Sequence, residues 1–234
     1  MNISGTSEPI FESSPALRNK SFVTGLVVVS LILFFLMWLS AVTDGLFNLI
    51  DEPINRFFID LNQNAPEWVD SVGDIFVRAG SQGLTVVAII LLAVMAFRRQ
   101  FREFWLLFAS VAGGELLWLP LIFAVDRPRP TEVRAISGLV LPGFPSGHVM
   151  IFVAFFGALL YIYFIGRKNP PWRRTIVAVV LFLFLLTGAN RLYFGAHYFT
   201  DIIAGYALGI AWTAFALTAV DWLWLKRQSR NRPD

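Results

Sequence analysis

The stretch Phe144-Pro145-Ser146-Gly147-His148 runs without a single charge into the apolar segment Val149–Ile165. This pairing of a polar island with a run long enough to cross a bilayer (about 17–25 residues for a helix) decides how the chain is read. Working outward, the same kind of apolar block recurs at Phe22–Val42, at Gly83–Phe97 with an extension back toward Ile75, and at Phe104–Val125, Thr175–Ala189 and Ile202–Leu225. Hydrophobic residues make up 56% of the chain and charged ones only 15%. A soluble domain carries about a quarter charged residues. The expected fold is therefore all-α: a polytopic membrane protein with six transmembrane helices. Phe22–Val42 is too long for a signal-peptide core and lacks a small-residue cleavage site after it, so it is read as a retained helix.

The charges sit at the ends of these blocks. Six spans place both termini on one side. That side collects Arg18, Lys20, Arg98, Arg99, Arg102, Arg167, Lys168, Arg173, Arg174, Lys226, Arg227, Arg230 and Arg232, which is 13 of the 19 basic residues. Arg56, Arg78, Arg127, Arg129, Arg134 and Arg191 fall on the other. By the positive-inside rule both termini are expected in the cytoplasm. A net charge of +3 distributed in this way is a topology signal and excludes nucleic acid as a partner. With no cysteine in the chain, disulfides and thiolate chemistry are excluded. No linker or repeat divides the sequence, so residues 1–234 are expected to form one domain, with a polar N-terminal tail over 1–20 and a basic C-terminal tail over 226–234.

Between the first two spans, Asp51-Glu52-Pro53 has the form of a helix start. Ile54, Phe57, Phe58 and Leu61 follow at helical spacing. A short interfacial helix on the outer side is predicted, with packing on protein as the alternative. Gly205 and Gly209 have the spacing that lets a neighbouring helix approach closely.

Three polar islands carry the chemistry: Asp126-Arg127-Pro128-Arg129-Pro130, Pro145–His148, and Asn190–Asp201. Arginine forks suit phosphate oxygens. Ser146 stands where it caps the helix that follows, Gly147 leaves the backbone accessible, and a helix start offers N–H groups to an anion. His197 and Asp201, four apart, share a helix face, where the carboxylate fixes one imidazole nitrogen and leaves the other as a nucleophile. The two histidines of the chain thus both lie in these islands, which the topology gathers on one face.

These residues resemble the three signature motifs of the type 2 phosphatidic acid phosphatase family, membrane relatives of bacterial acid phosphatases and vanadium haloperoxidases. The family pattern is Lys-x6-Arg-Pro, then Pro-Ser-Gly-His, then Ser-Arg-x5-His-x3-Asp. It is met in order by Arg129-Pro130, by Pro145–His148, and by Arg191, His197 and Asp201. The resemblance implies that His197 attacks phosphorus, Asp201 orients it, and His148 protonates the leaving oxygen and then activates water. Arg129, Arg191, Ser146 and Gly147 would hold the phosphate oxygens, with Pro145, Arg127 and Asn190 completing the substrate-binding set. No metal or cofactor is implied. Two positions depart from the pattern: Ile122 stands where the family has lysine, and Asn190 where it has serine. Arg127 or Arg134 are candidates to replace the lysine. Glu115, inside the third span, is expected to face protein or a wet cavity.

The resulting expectation is a lipid phosphate or diphosphate phosphatase of the bacterial plasma membrane, with its site on the extracytoplasmic side. Its substrate would be of the undecaprenyl diphosphate, phosphatidylglycerophosphate or phosphatidic acid type. Its partners would be that lipid and the bilayer, with a homo-oligomer permitted. The alternatives are a phosphotransferase passing the phosphoryl group to a lipid or sugar, and a non-catalytic lipid-phosphate binding or transport protein, the latter suggested by Ile122.

Overall fold

A computed structural model describes residues 19–43, 48–130, 141–164 and 171–230. Arg134, Arg18, Arg167, Lys168, Arg232 and most of the two tails lie outside the described residues. Among those described the chain is helical, with six helices long and apolar enough to cross a membrane. The protein is an integral membrane protein. The first span is α1 (Lys20–Thr43). It is followed by α2 (Asn48–Gln63) and α3 (Glu67–Arg78). A π-helical turn, Ala79–Gly83, joins α3 without a break to α4 (Leu84–Phe97). Then come α5 (Phe101–Val125), α6 (Gly147–Phe164), α7 (Arg173–Tyr193) and α8 (Phe199–Arg230).

The second span begins earlier than its hydropathy suggests, running from Glu67 to Phe97. Pro66 opens α3, and Glu67 and Asp70 in its first turn suit the positive end of the helix dipole. Trp68, Val72 and Ile75 then form an exposed apolar stripe that continues the span outward. The low hydropathy of Ala79-Gly80-Ser81-Gln82-Gly83 hid this continuity in the sequence.

α8 is the central helix: 56% of its most apolar window is buried inside the protein, against 11% for α1. It packs along α1, α5 and α6 and meets α2 near its start. The small residues of the Gly205/Gly209 pair have a specific neighbour. A Cβ on Gly205 would lie 2.7 Å from the Ser146 carbonyl oxygen, and one on Gly209 would lie 2.9 Å from that of Met150. The close approach is therefore to the first turns of α6, the helix that carries the Pro-Ser-Gly-His motif. At the other end of the bundle, buried Asp221 of α8 accepts a hydrogen bond from Arg102 Nε at 2.9 Å and another from the Tyr161 hydroxyl. These contacts staple α5, α6 and α8.

The predicted short helix is present as α2, and its apolar stripe divides. Ile54 and Phe58 pack on a cluster formed by Val149, Leu192 and Ile202. Phe57 and Leu61 point away, 63% and 49% exposed. Its polar side, Asp51 and Asn55, is buried. One side of the helix thus packs on protein, as the alternative reading has it, while Phe57 and Leu61 keep an exposed apolar edge.

Candidate active site

The three islands converge at the ends of α5, α6, α7 and α8. α5 stops where Asp126 adopts a left-handed conformation (φ 47°), a backbone state that aspartate tolerates better than most residues. This turns the chain so that Arg127 reaches α2 and α8, and Arg129 reaches the segments before α6 and α8. The Phe144–Pro145 peptide is cis. The Pro145 carbonyl accepts the Trp118 indole N–H at 2.9 Å, and the Ser146 N–H donates to the Asp201 carbonyl at 3.0 Å. The start of α6 is thereby tied to α5 on one side and α8 on the other.

His197 lies in the short connection before α8 and is 2% exposed. Its Nδ1 is 2.8 Å from the Gly143 carbonyl oxygen, while the nearer Asp201 oxygen is 3.8 Å away. The nearer hydrogen-bond acceptor for Nδ1 is thus the Gly143 carbonyl, with the Asp201 carboxylate beyond it as the ring's neighbouring charge. His197 precedes the helix, and Asp201 is otherwise engaged. An Nδ1–H donated to a carbonyl leaves a lone pair on Nε2, and Nε2 is buried with no partner among the described residues. Burial lowers the pKa of this imidazole below the usual histidine value. Asp201 opposes the shift, and Arg129 and Arg191 add to it. A neutral ring keeps the lone pair that a nucleophile needs.

Asp201 is the hub of a buried ionic network. Its Oδ1 takes Arg127 Nη1 at 2.5 Å and its Oδ2 takes the Tyr198 N–H at 2.8 Å. Arg127 Nη2 continues to Asp51 Oδ2 at 2.8 Å. Asp51 in turn accepts from Thr200 twice, from N–H at 2.8 Å and from Oγ1 at 2.6 Å. The Arg127 guanidinium also lies 4.4 Å from the centre of the Tyr198 ring. Burial tends to lower its pKa, but Asp201 and Asp51 outweigh that and raise it. Arg127, expected to bind substrate in place of the missing lysine, instead ties α2 to α8. Asn55, one turn after Asp51, donates from Nδ2 to the His197 carbonyl at 3.0 Å. Sequence reasoning missed Asp51, Asn55, Thr200 and Gly143. The only signal was that Asp51 and Asn55 share one face of a short helix.

Arg129 is held by backbone oxygens, from Nε to Leu141 at 2.7 Å and from Nη1 to Ala196 at 3.1 Å. Burial lowers its pKa from the usual arginine value. Arg191 Nη2 donates to Asn190 Oδ1 at 2.9 Å, and Asn190 Nδ2 reaches the Gly73 carbonyl at 3.3 Å. Asn190, expected to touch substrate, has both ends of its amide occupied and holds Arg191 against α3. His148, on the first turn of α6, has Arg191, His197 and Arg129 as its charged neighbours. The two histidines and two arginines form one cluster.

Ser146 also differs from expectation. Its hydroxyl does not cap α6 but is fully buried with no partner among the described residues. The space above Gly147 is filled by the Trp118 ring, 2.6 Å from where a Cβ would be. Glycine at 147 is therefore required by packing, whereas Ser146 Oγ and His197 Nε2 remain as unmatched polar atoms. Ile122, at the lysine position, is completely buried.

A bundle of six membrane-spanning helices that buries an unpartnered imidazole nitrogen beside a histidine and two arginines has the groups to handle phosphate esters by nucleophilic transfer. Residues 103–225 match the model of the PAP2 superfamily, and the chain belongs to that superfamily. It is a phosphatase. It is similar to phosphatidylglycerophosphatase B of Bacillus subtilis (strain 168), 25% identical over 186 residues that cover 78% of this chain and 89% of the relative. It is also similar to a lipid A 1-phosphatase of Rhizobium johnstonii, 39% identical over 123 residues. That match covers 49% of this chain and 46% of the relative, so it reaches about half of that protein. A crystal structure of a transmembrane PAP2-type phosphatidylglycerolphosphate phosphatase from B. subtilis shares the fold, with a TM-score of 0.68 at 22% identity. It covers 88% of this chain and 98% of that one.

Proposed function

We propose that the protein hydrolyses a lipid phosphate or diphosphate through a phosphohistidine on His197, at the extracytoplasmic leaflet. The observation that carries this reading is the buried His197 Nε2, left without a partner among the described residues while Nδ1 faces the Gly143 carbonyl. In the first step Nε2 forms a bond to phosphorus, the bond to the lipid oxygen breaks, and that oxygen takes a proton from His148. In the second, His148 removes a proton from water, the resulting hydroxide attacks phosphorus, and the P–N bond breaks to release orthophosphate. Arg129, Arg191, the Ser146 hydroxyl and the N–H groups opening α6 face the non-bridging oxygens and stabilise them as charge redistributes. Asp201, held by Arg127, keeps a negative charge near the ring as it becomes cationic. The names of the relatives, which are lipid phosphatases, and the six apolar helices support a substrate whose headgroup is handled at the membrane.

Purified protein in lipid micelles tests the reading. Orthophosphate release from phosphatidic acid, phosphatidylglycerophosphate or undecaprenyl diphosphate is expected, together with an acid-labile, alkali-stable phosphoenzyme. His197→Ala should lose both. Release unaffected by that change would overturn the mechanism, release only on adding an acceptor would make it a transferase, and none from any lipid would favour a binding protein. Because the chain has no cysteine, topology is testable with single introduced thiols. An impermeant maleimide should label Asn64→Cys from outside the cell and Ser229→Cys only from the cytoplasmic face.

A further inference from the structure

A cavity of about 510 Å³ opens beside the site. The π-helical turn and the start of α4 form one wall, and α5 and α6 form the others, with His148 among the lining residues. Whatever occupies it meets the group assigned to protonate the leaving oxygen. Most of the lining is hydrocarbon, including Ala88, Leu92, Phe108, Val111 and Ile151. The hydroxyls there are already used: Ser81 Oγ donates to the Val77 carbonyl at 2.9 Å and Thr85 Oγ1 to that of Ser81 at 3.0 Å. Gly80, Ser81 and Gln82 of the π-helical turn face the cavity, and such turns recur where a helix is shaped for a ligand.

Glu115 is the one acid in this lining. It is exposed to the cavity and has no hydrogen-bond or ion partner among the described residues. The register of α5 on α6 fixes its depth. A Cβ on Gly147 would meet Trp118 at 2.6 Å, and one on Gly114 would meet Ile151 Cδ1 at 3.2 Å. These antiparallel contacts put Glu115 and His148 within about one helical turn of each other along the bundle. An acid in a membrane span is costly without a polar partner. The motif arginines are turned elsewhere, Arg127 to Asp51 and Asp201, and Arg129 to the backbone oxygens of Leu141 and Ala196.

We infer that the occupant supplies the partner: the cavity takes the part of the lipid next to the phosphoester, and Glu115 accepts a hydrogen bond from an O–H or N–H group carried there. The substrate class is then a phosphomonoester on a glycerol that keeps a free hydroxyl, or on a sphingoid or amino-sugar backbone, each of which bears a hydroxyl or amide donor a few bonds from phosphorus. A polyisoprenyl diphosphate has its anionic inner phosphate and then hydrocarbon in that place, with no O–H or N–H donor to offer. This assignment rests on the phosphatase reading of the site and adds its selectivity.

The experiment compares kcat/KM for sphingosine 1-phosphate and farnesyl diphosphate in detergent micelles, for wild type, Glu115→Gln and Glu115→Leu. The expected result is a wild-type preference for the donor-bearing lipid. Glu115→Leu should lower that preference by roughly 10–100-fold, the loss of one charge-assisted hydrogen bond. Glu115→Gln, which keeps an acceptor, should fall between. A preference unchanged in Glu115→Leu, or an equal fall on both substrates, overturns the assignment. Wild type that cleaves neither lipid would sink the phosphatase reading instead. Thermal stabilisation by sphingosine 1-phosphate then decides the cavity: loss in Glu115→Leu supports it and retention refutes it.

Discussion

Replacing Asp51 by alanine tests whether α2 is part of the catalytic apparatus or a loop helix that happens to lie over it. Asp51 is 2% exposed and Arg127 8%, so neither charge has water to turn to. The substitution removes the 2.8 Å ion pair with Arg127 Nη2 and the two acceptors of Thr200, at 2.8 and 2.6 Å. Taking one partner from a buried pair costs about 3–5 kcal/mol, because the other charge stays buried. Arg127 keeps Asp201, which places the expected loss toward the lower end. For a chain of this size that corresponds to a fall in melting temperature of roughly 6–12 °C. The chemical effect should exceed a loss of folded protein. Arg127 freed on one side pulls harder on Asp201, and Thr200 no longer anchors the first turn of α8, so the carboxylate near His197 shifts. kcat per folded molecule should drop by about tenfold or more, while KM moves by less than about threefold because Asp51 touches no substrate atom. Differential scanning fluorimetry and steady-state phosphate release on detergent-purified Asp51→Ala and Asp51→Glu make the measurement, with the glutamate variant expected to restore part of kcat. An alanine variant that melts within about 2 °C of wild type and turns over normally would refute the idea that this network holds the site.

Three other outcomes follow from the geometry. Burial holds His197 neutral below the ordinary histidine pKa, so the unfolded chain binds its proton more readily than the folded one. The contribution of His197 to stability is therefore complete above about pH 6.5 and is lost as pH falls from there through its folded value, a loss that pH-dependent melting should show and His197→Ala should diminish. Gly205→Ala drives a methyl group to 2.7 Å from the Ser146 carbonyl, and should cost about 1–3 kcal/mol with a matching loss of activity, whereas Gly25→Ala, with nothing within 4 Å, should be silent. Ile122→Lys, at a fully buried position, should lower the melting temperature yet tighten inhibition by orthophosphate about tenfold, if the lysine head reaches the phosphate site. Unchanged inhibition would show that position 122 no longer borders it.

What could be read from the sequence was what depends on local composition. Apolar runs of bilayer length marked five of the six spans to within a few residues, because a helix in lipid must be hydrophobic along its whole length. The second span was located but cut short, since Ala79–Gly83 has the composition of a loop and owes its helical form to continuity with α3. Of the site, the motif residues His148, His197, Arg129 and Arg191 were legible as types at fixed spacing, and they do gather. Their partners were not. Gly143 reaches His197 through a backbone carbonyl, which every residue possesses, so nothing in its identity announces the contact. Asp51 and Arg127 lie 76 positions apart, and an aspartate preceding Glu52-Pro53 reads equally well as a helix-start residue. Asn190 and Arg127 stand in polar motifs and so read as substrate-binding residues, while in the structure Asn190 joins Arg191 to Gly73 and Arg127 joins Asp51 to Asp201. The structure shows that a buried cluster of charges needs other polar groups to hold it in place.

That division of labour bears on the missing lysine. Three arginines border the site, but they are held in two different ways. Arg127 is compensated by two carboxylates, Asp51 and Asp201, and brings no net positive charge to the phosphate. Arg129 is fixed by carbonyl oxygens and Arg191 by the Asn190 amide oxygen, partners that orient a guanidinium without neutralising it. Arg129 and Arg191 are then the two guanidinium groups left to face the phosphate beside His197 and His148, a pair suited to a phosphomonoester, with the carboxylates of Asp201 and Asp74 already within their electrostatic reach. A lysine at 122 would add a third cation. On this argument Ile122 does not leave the cradle deficient for a dianion. It makes the cradle a poorer match for a diphosphate, whose charge is higher, which agrees in direction with the phosphomonoester preference assigned to Glu115.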